Sequence, residues 1–229
     1  MPTPVIKSGL YTLFALLMGL ACAQAADPPD AEAVAQRWLA SAAKVQTLAV
    51  QFAQERKLRT LNRLLVRQGK LWFQRPGSFR WQIDEPPSLI ALKTANQPLQ
   101  WISTKARTVR ITATKPDGSA ADPAMDILQS LLSANTAKFT EQFRVLSAKP
   151  ADLPDAWDIE LDPKDRRTSI AVKTIQLRVT PDTGALHHFS VFMRDGSVLT
   201  TRVLQADPGS PIAADIFTFD SSGYSTITE

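Results

Sequence analysis

Gly69-Lys70-Leu71-Trp72-Phe73-Gln74-Arg75-Pro76-Gly77-Ser78-Phe79-Arg80-Trp81 carries two aromatic runs on either side of a break at Pro76-Gly77. After the break, Phe79, Trp81 and Ile83 alternate with Arg80, Gln82 and Asp84, the period-two pattern of a strand with one apolar face. Before it, Leu71 and Phe73 alternate with Lys70, Trp72 and Gln74, a second strand with a mostly apolar face. Pro76 fixes φ and Gly77 permits positive φ, so the pair turns the chain back antiparallel. The pattern predicts a hairpin with its bulk on one face and Arg75 beside the bend. Composition alone makes this an ordinary hairpin of a β-rich core.

Upstream of the hairpin, Leu48, Val50 and Phe52 alternate with Ala49, Gln51 and Ala53, which predicts the first strand. Arg56 to Arg67 is a basic, leucine-rich connection, read as a strand end, a turn and the start of the next strand. Before these, Val34, Trp38, Ala42 and Val45 recur at helical spacing, giving an amphipathic helix from about Ala31 to Val45 with Asp30 or Asp27 as cap. Downstream, Ser88 to Thr94, Leu99 to Ser103 and Thr108 to Ala113 are short and strand-like, and Pro116-Asp117-Gly118-Ser119 marks a loop. A short apolar helix follows, carrying Met125, Leu128, Leu131 and Leu132, with Asp122 as its cap and Pro123 in its first turn.

The second half returns to period two. Phe139, Phe143 and Val145 mark one expected strand, and Trp157, Ile159 and Leu161 the next. Ile175, Leu177 and Val179 form another row, Pro181 to Gly184 a turn, and Phe189, Val191 and Met193 a further row. Asp195-Gly196 is a tight-hairpin signal before a strand from Val198 to Leu204. Phe217 and Phe219 close the domain, with a loose polar tail expected after Asp220. About ten antiparallel strands, each with one apolar face, would leave much apolar surface exposed as a flat sheet. The expected fold is therefore mainly β with helices (α+β): a curved antiparallel sheet, or unclosed β-barrel, covered by helices.

Residues 1 to 25 contain Lys7, an apolar run from Leu10 to Ala21, and Ala23-Gln24-Ala25. A basic start, a short apolar centre and a small-x-small site predict a secretory signal peptide cleaved after Ala25, leaving residues 26 to 229 as one domain. The run is too short for a comfortable membrane span. The single cysteine, Cys22, lies inside this leader, so cleavage leaves no cysteine and no disulfide framework. Cys22 also follows Gly19-Leu20-Ala21, which has the Ala of a lipidation site but lacks its Leu, so a Cys22-anchored form is the alternative. Without Lys7 the formal charge falls from +4 to +3. The basic residues are interspersed with acidic ones rather than with aromatics, which argues against a nucleic-acid partner.

Catalytic patterns are poor. There is no His-Glu-x-x-His, Gly-x-Ser-x-Gly or glycine-rich phosphate loop. His187 and His188 are adjacent on an expected strand and point to opposite faces; His187 reads as a hydrogen-bonded histidine at the core edge. Asp158, Asp162 and Asp165 are interleaved with Lys164, Arg166 and Arg167, which argues against a calcium loop. No enzyme activity, cofactor or metal is expected. Binding remains: the rows containing Phe73, Phe79, Trp81 and Trp101 either line an apolar cavity or fill a dry core.

The wording of the hairpin, Gly-x-Leu-Trp-Phe-x-Arg-Pro-Gly-x-Phe-Arg-Trp followed by Glu85-Pro86, resembles the signature of the periplasmic outer-membrane lipoprotein carriers, the LolA-type family. Val45 to Leu48 and Phe52-x-Gln54-Glu55 are similar to that family's first helix–strand junction, and Ile90 to Ile102 and Phe217 to Phe219 to its later strands. The resemblance implies a periplasmic chaperone, acting as a monomer, that carries lipoproteins by their acyl chains from inner to outer membrane. It also implies an inner-membrane lipoprotein-releasing ABC transporter and an outer-membrane acceptor lipoprotein as partners. Arg75 matches the family's arginine that fastens the helical lid, and Phe79 its phenylalanine at the cargo mouth. Thr94 to Pro98 stand where the family has an Asp-Gly turn, which leaves another lipid or glycolipid open as cargo.

Overall fold

The computed structural model describes residues 30–59, 63–111 and 123–228. The leader with Cys22, the Pro116–Ser119 loop and the Asp122 cap lie outside the described residues. The first element is α1 (Ala31–Ala42), where Asp30 caps by accepting from the Glu32 amide at 3.1 Å. Val34, Ala35, Trp38 and Leu39 form its buried stripe, and the Trp38 indole donates to the Gly184 carbonyl at 3.1 Å. Gly184 takes φ +73°, and a β-carbon there would lie 2.4 Å from the Ala42 amide nitrogen. Only glycine allows this turn to close onto the end of α1.

The strands follow as β1 (Thr47–Lys57), β2 (Leu64–Gln74), β3 (Ser78–Ile83), β4 (Leu89–Lys93), β5 (Gln100–Ser103) and β6 (Thr108–Ile111). Helices α2 (Pro123–Ser133) and α3 (Thr136–Gln142) come next. The second half holds β7 (Phe143–Pro150), β8 (Trp157–Pro163), α4 (Arg166–Ala171), β9 (Val172–Thr180), β10 (Ala185–Met193), β11 (Val198–Pro208) and β12 (Ser225–Thr228). The twelve strands among the described residues form one sheet in the order β12-β6-β5-β4-β3-β2-β1-β11-β10-β9-β8-β7. Every pairing among the described residues is antiparallel except β12 on β6. The sheet is large, curved and unclosed, ending at β7 and β12, as the sequence implies.

Several sequence expectations need correction. Phe139 lies in α3, not in a strand: Asn135 caps that helix by accepting from the Lys138 amide at 3.0 Å. Residues 166–171, where the charges interleave after Asp165, form the helix α4. The tail after Asp220 adds β12 to the sheet, and Phe217 ends a short 3-10 helix (Ala214–Phe217). Gly77 does not take positive φ; the bend has a cis Arg75–Pro76 bond and a Gly77 amide bonded to the Gln74 carbonyl at 3.2 Å.

The sheet buries both faces near its middle. Facing α1 and α2, Phe52, Leu71, Phe73, Phe79 and Trp81 join Trp38, Leu39, Met125, Ile127, Leu128 and Leu131 in one apolar cluster. On β4 the parity splits: Ala91 belongs to that cluster, while Ile90 and Leu92 belong to a second one with Ile102 and Val109. Phe219 and Tyr224 cover the second cluster. Gly69 makes the first possible, since a β-carbon there would lie 2.3 Å from the Phe52 ring and 2.4 Å from the Gln82 carbonyl oxygen. Without that carbon, Phe52 lies over β2 and stacks on Trp81, with ring centroids 5.9 Å apart at 14°.

Candidate lipid-binding cleft

The β2–β3 hairpin pairs Phe73 with Phe79 and Leu71 with Trp81, so the alternation read from the sequence becomes one apolar face. Phe73 and Phe79 are both buried, and both line a cleft of about 1040 Å³ beside the turn. Pro76 and Gly77 complete its hairpin wall, while α2 supplies Ile127, Ser130 and Leu132. Lys138 and Glu141 of α3 and Arg166 of α4 add charge of both signs. A ligand with an apolar body and a polar end suits such a lining.

Trp81 and Trp101 sit away from this cleft. They meet edge to face at 6.2 Å and 77°, with Ala91 opposite both across the sheet. The small Ala91 side chain leaves room for that contact. In this form the concave side of the sheet is packed by α1 and α2, so these aromatic rows are core. Exposing them requires α2 to move.

Arg75 is what holds α2 and α1 to the hairpin. Its Nε donates to the Val45 carbonyl at 2.9 Å, Nη1 to that of Ser133 at 3.0 Å and Nη2 to that of Ala42 at 3.2 Å. Ala42 and Ser133 are the last residues of α1 and α2, where helix carbonyls lack intrahelical partners and the dipole is negative. One guanidinium thus satisfies the C-terminal ends of two helices. Its carbon also lies 5.4 Å from the Phe73 ring centroid, and its own amide donates to the Gln46 carbonyl at 2.9 Å. Burial pulls its pKa downward. The sequence marks Arg75 but not its acceptors, because main-chain carbonyls carry no side-chain signature.

Nothing in the sequence singles out Ser130. It lines the cleft from α2, and its Oγ is buried with no hydrogen bond among the described residues. Elsewhere, the His187 ring meets the Thr180 hydroxyl at 2.9 Å, and burial, then Arg178, lower its pKa. His188 sits opposite Arg178 on one side and Arg202 on the other, and burial again leads its downward shift. Asp158 is held by two bonds from Arg178 at 2.7 and 2.8 Å, which keep its carboxyl below the usual range. Asp165 instead accepts from the Thr168 amide at 2.9 Å. Among the described residues, no three His, Cys, Asp or Glu side chains cluster as a metal site, and no helix is long and apolar enough to cross a membrane.

Comparison with known proteins agrees with this architecture. The family described as "Outer membrane lipoprotein carrier protein LolA" matches residues 43–220. Among solved structures, an uncharacterized conserved protein from Thermus thermophilus shares the fold, with TM-score 0.53 and 9% identity over 87% of this chain and 99% of that one. A putative outer membrane lipoprotein-sorting protein domain from Vibrio parahaemolyticus has TM-score 0.48 and 10% identity, covering 82% of this chain and 97% of its own. A LolA superfamily protein from Nitrosomonas europaea has TM-score 0.42 and 13% identity over 82% and 97%. Curated proteins yield no match.

Proposed function

The chain belongs to the LolA family of outer-membrane lipoprotein carriers, and we propose that it is a periplasmic chaperone that takes up acyl chains between its sheet and α2. The observation that carries this reading is the three-carbonyl grip of Arg75 on the ends of α1 and α2 beside the Phe73–Phe79 cleft. Closed, the apolar face of α2 fills the concave side of the sheet; open, an acyl chain takes its place. Each buried CH₂ of that chain gains roughly 0.8 kcal/mol, and release requires a closed state of similar free energy. The protein works without covalent chemistry or a cofactor. Acylated lipoproteins are the proposed cargo, received from an inner-membrane releasing ABC transporter and passed to an outer-membrane acceptor lipoprotein.

Titration with a fluorescent acyl probe tests the reading. The parent protein should saturate at one or a few sites, and Phe79→Glu should weaken binding because a carboxylate at the apolar mouth must be desolvated. Absence of probe binding by the folded parent would reject the carrier. Lipid extracted from protein recovered after export identifies the cargo class, diacylated peptide supporting the lipoprotein and any other lipid replacing it. Mass spectrometry of the mature N terminus should find Ala26; a diacylated Cys22 would make the protein an anchored receptor instead.

A further inference from the structure

The most unbalanced surface lies at the end of the sheet away from Arg75. The register brings three connections there: Lys57 faces Leu64 where β1 passes to β2, Phe192 faces Val198 where β10 passes to β11, and Met193 faces Val172 next to α4. The three touch. A β-carbon on Gly196 would lie 3.3 Å from the Arg59 side chain, while the Arg194 amide donates to the Ala171 carbonyl at 2.8 Å and its Nε to that of Ser169.

Arg56, Lys57, Arg59, Arg63 and Arg194 are all exposed on this surface. The acids among them are engaged locally: Asp195 accepts from the Ser197 amide, and Glu55, opposite Val66, accepts from Arg202. Between the bases stand Leu64, Val66 and Ile170, exposed by 49, 57 and 68%. Turns at the other ends of these strands, residues 151–156 and 181–184, contain Asp152, Asp155 and Asp182 and no lysine or arginine. Arg178 and Arg37 pair with Asp152 and Asp182 there, so that end carries balanced charge, while bases outnumber acids at this one. Those acidic turns expose one large aliphatic side chain, Leu153, so the basic end is also the more apolar of the two.

We propose that this end docks on an anionic phospholipid surface. The guanidinium groups fit phosphate-bearing headgroups, and the three aliphatic side chains enter the boundary between headgroup and acyl regions. Aliphatic rather than aromatic side chains accompany the bases, so there is no stacking platform for nucleic-acid bases. On β2 the docking residues begin at Leu64 and Arg75 follows Gln74, so surface binding and acyl uptake occupy opposite ends of one strand.

Vesicle flotation of the exported, processed protein tests this. Vesicles containing phosphatidylglycerol should bind it, phosphatidylcholine vesicles should not, and added salt should weaken the association. Each basic residue near an anionic surface contributes about fivefold, so Arg59→Glu with Arg63→Glu should cost at least roughly tenfold. Val66→Ser with Ile170→Ser should cost less and in a salt-independent way. Phe79→Glu should float like the parent, which separates docking from acyl uptake; both double variants should keep the parent's acyl-probe affinity, which shows that they fold. Equal binding to neutral vesicles, or charge-reversed protein floating like the parent, would overturn the proposal. Failure to float, with loss of a polyglutamate interaction in the double variant, would assign the surface to an acidic protein instead.

Discussion

Arg75 and Arg80 stand five positions apart in one hairpin, and each fastens a cover over one face of the sheet. On the concave face, Arg75 grips helix-end carbonyls of α1 and α2. On the convex face, Arg80 donates to the carbonyls of Ile216 and Thr218 at 3.3 and 3.2 Å, holding the C-terminal segment over Ile90 and Ile102. The chemistry is the same, but the surroundings differ. The convex cover continues into β12, which is laddered onto β6 from Ser225 to Thr228, and Arg107 adds a bond to the Gly223 carbonyl at 3.2 Å. Among the described residues, no strand ladder ties α2 to the sheet. A cover tied by a ladder stays, whereas one held by a side chain and apolar packing can leave.

The largest effect should come from the support common to both faces. Gly69→Ala drives a β-carbon into Phe52 and the Gln82 carbonyl, and should cost about 3 kcal/mol of stability in denaturant unfolding. A loss below about 1 kcal/mol would mean that the Phe52–Trp81 stack adjusts freely. Next, Arg75→Leu removes charge-assisted bonds worth about 1.5–3 kcal/mol each when formed. It should raise acyl-probe affinity roughly ten- to hundredfold and speed amide exchange in α2. Unchanged or weaker binding would sink the idea that Arg75 holds α2 closed.

Arg80→Leu should lower stability by about 1–2 kcal/mol and leave probe affinity at the parent value. A matching gain of affinity would break the contrast between the covers. The smallest effect should come with pH. His187 and His188 bind protons less readily in the folded state than the ordinary value of about 6.5 allows. Between that value and their lower folded values the unfolded chain holds more protons, so stability should fall as pH drops below about 6.5. His188→Asn should flatten this slope in unfolding curves taken from neutral to mildly acid pH; an unaltered slope would remove His188 from the account.

The hairpin, the curved sheet and the helix carrying Met125 to Leu132 are legible in the sequence because their apolar periods are local. Arg75 is legible through the family wording, while its partners are not, since Ala42, Val45 and Ser133 contribute only main chain. Phe139 and Phe143 mislead because they lie four positions apart, a helical spacing that two aromatics in a β-rich region disguise. Asn135 ahead of them is the cap that marks the helix. Strand β12 is hidden for a different reason: Ser-Thr-Ile-Thr is strand-like but has no apolar face, and its partner β6 lies more than a hundred residues earlier. The cleft is shaped by α2, α3 and α4 together, and no single segment encodes it.

Strand β1 is bordered by β2 on one side and β11 on the other, along nearly its whole length. In time, these two neighbours are far apart. Residues 64–74 follow β1 at once, but residues 198–208 are synthesised about 140 residues later. Loop closure over such a separation is slow, so β1 waits with one edge satisfied and one bare while the rest of the chain arrives. That interval is when the chain is most exposed to pairing with another chain. Pulse-labelled amides of β1 that face β2 should therefore become protected before those that face β11, and simultaneous protection would show that the sheet closes in a single step.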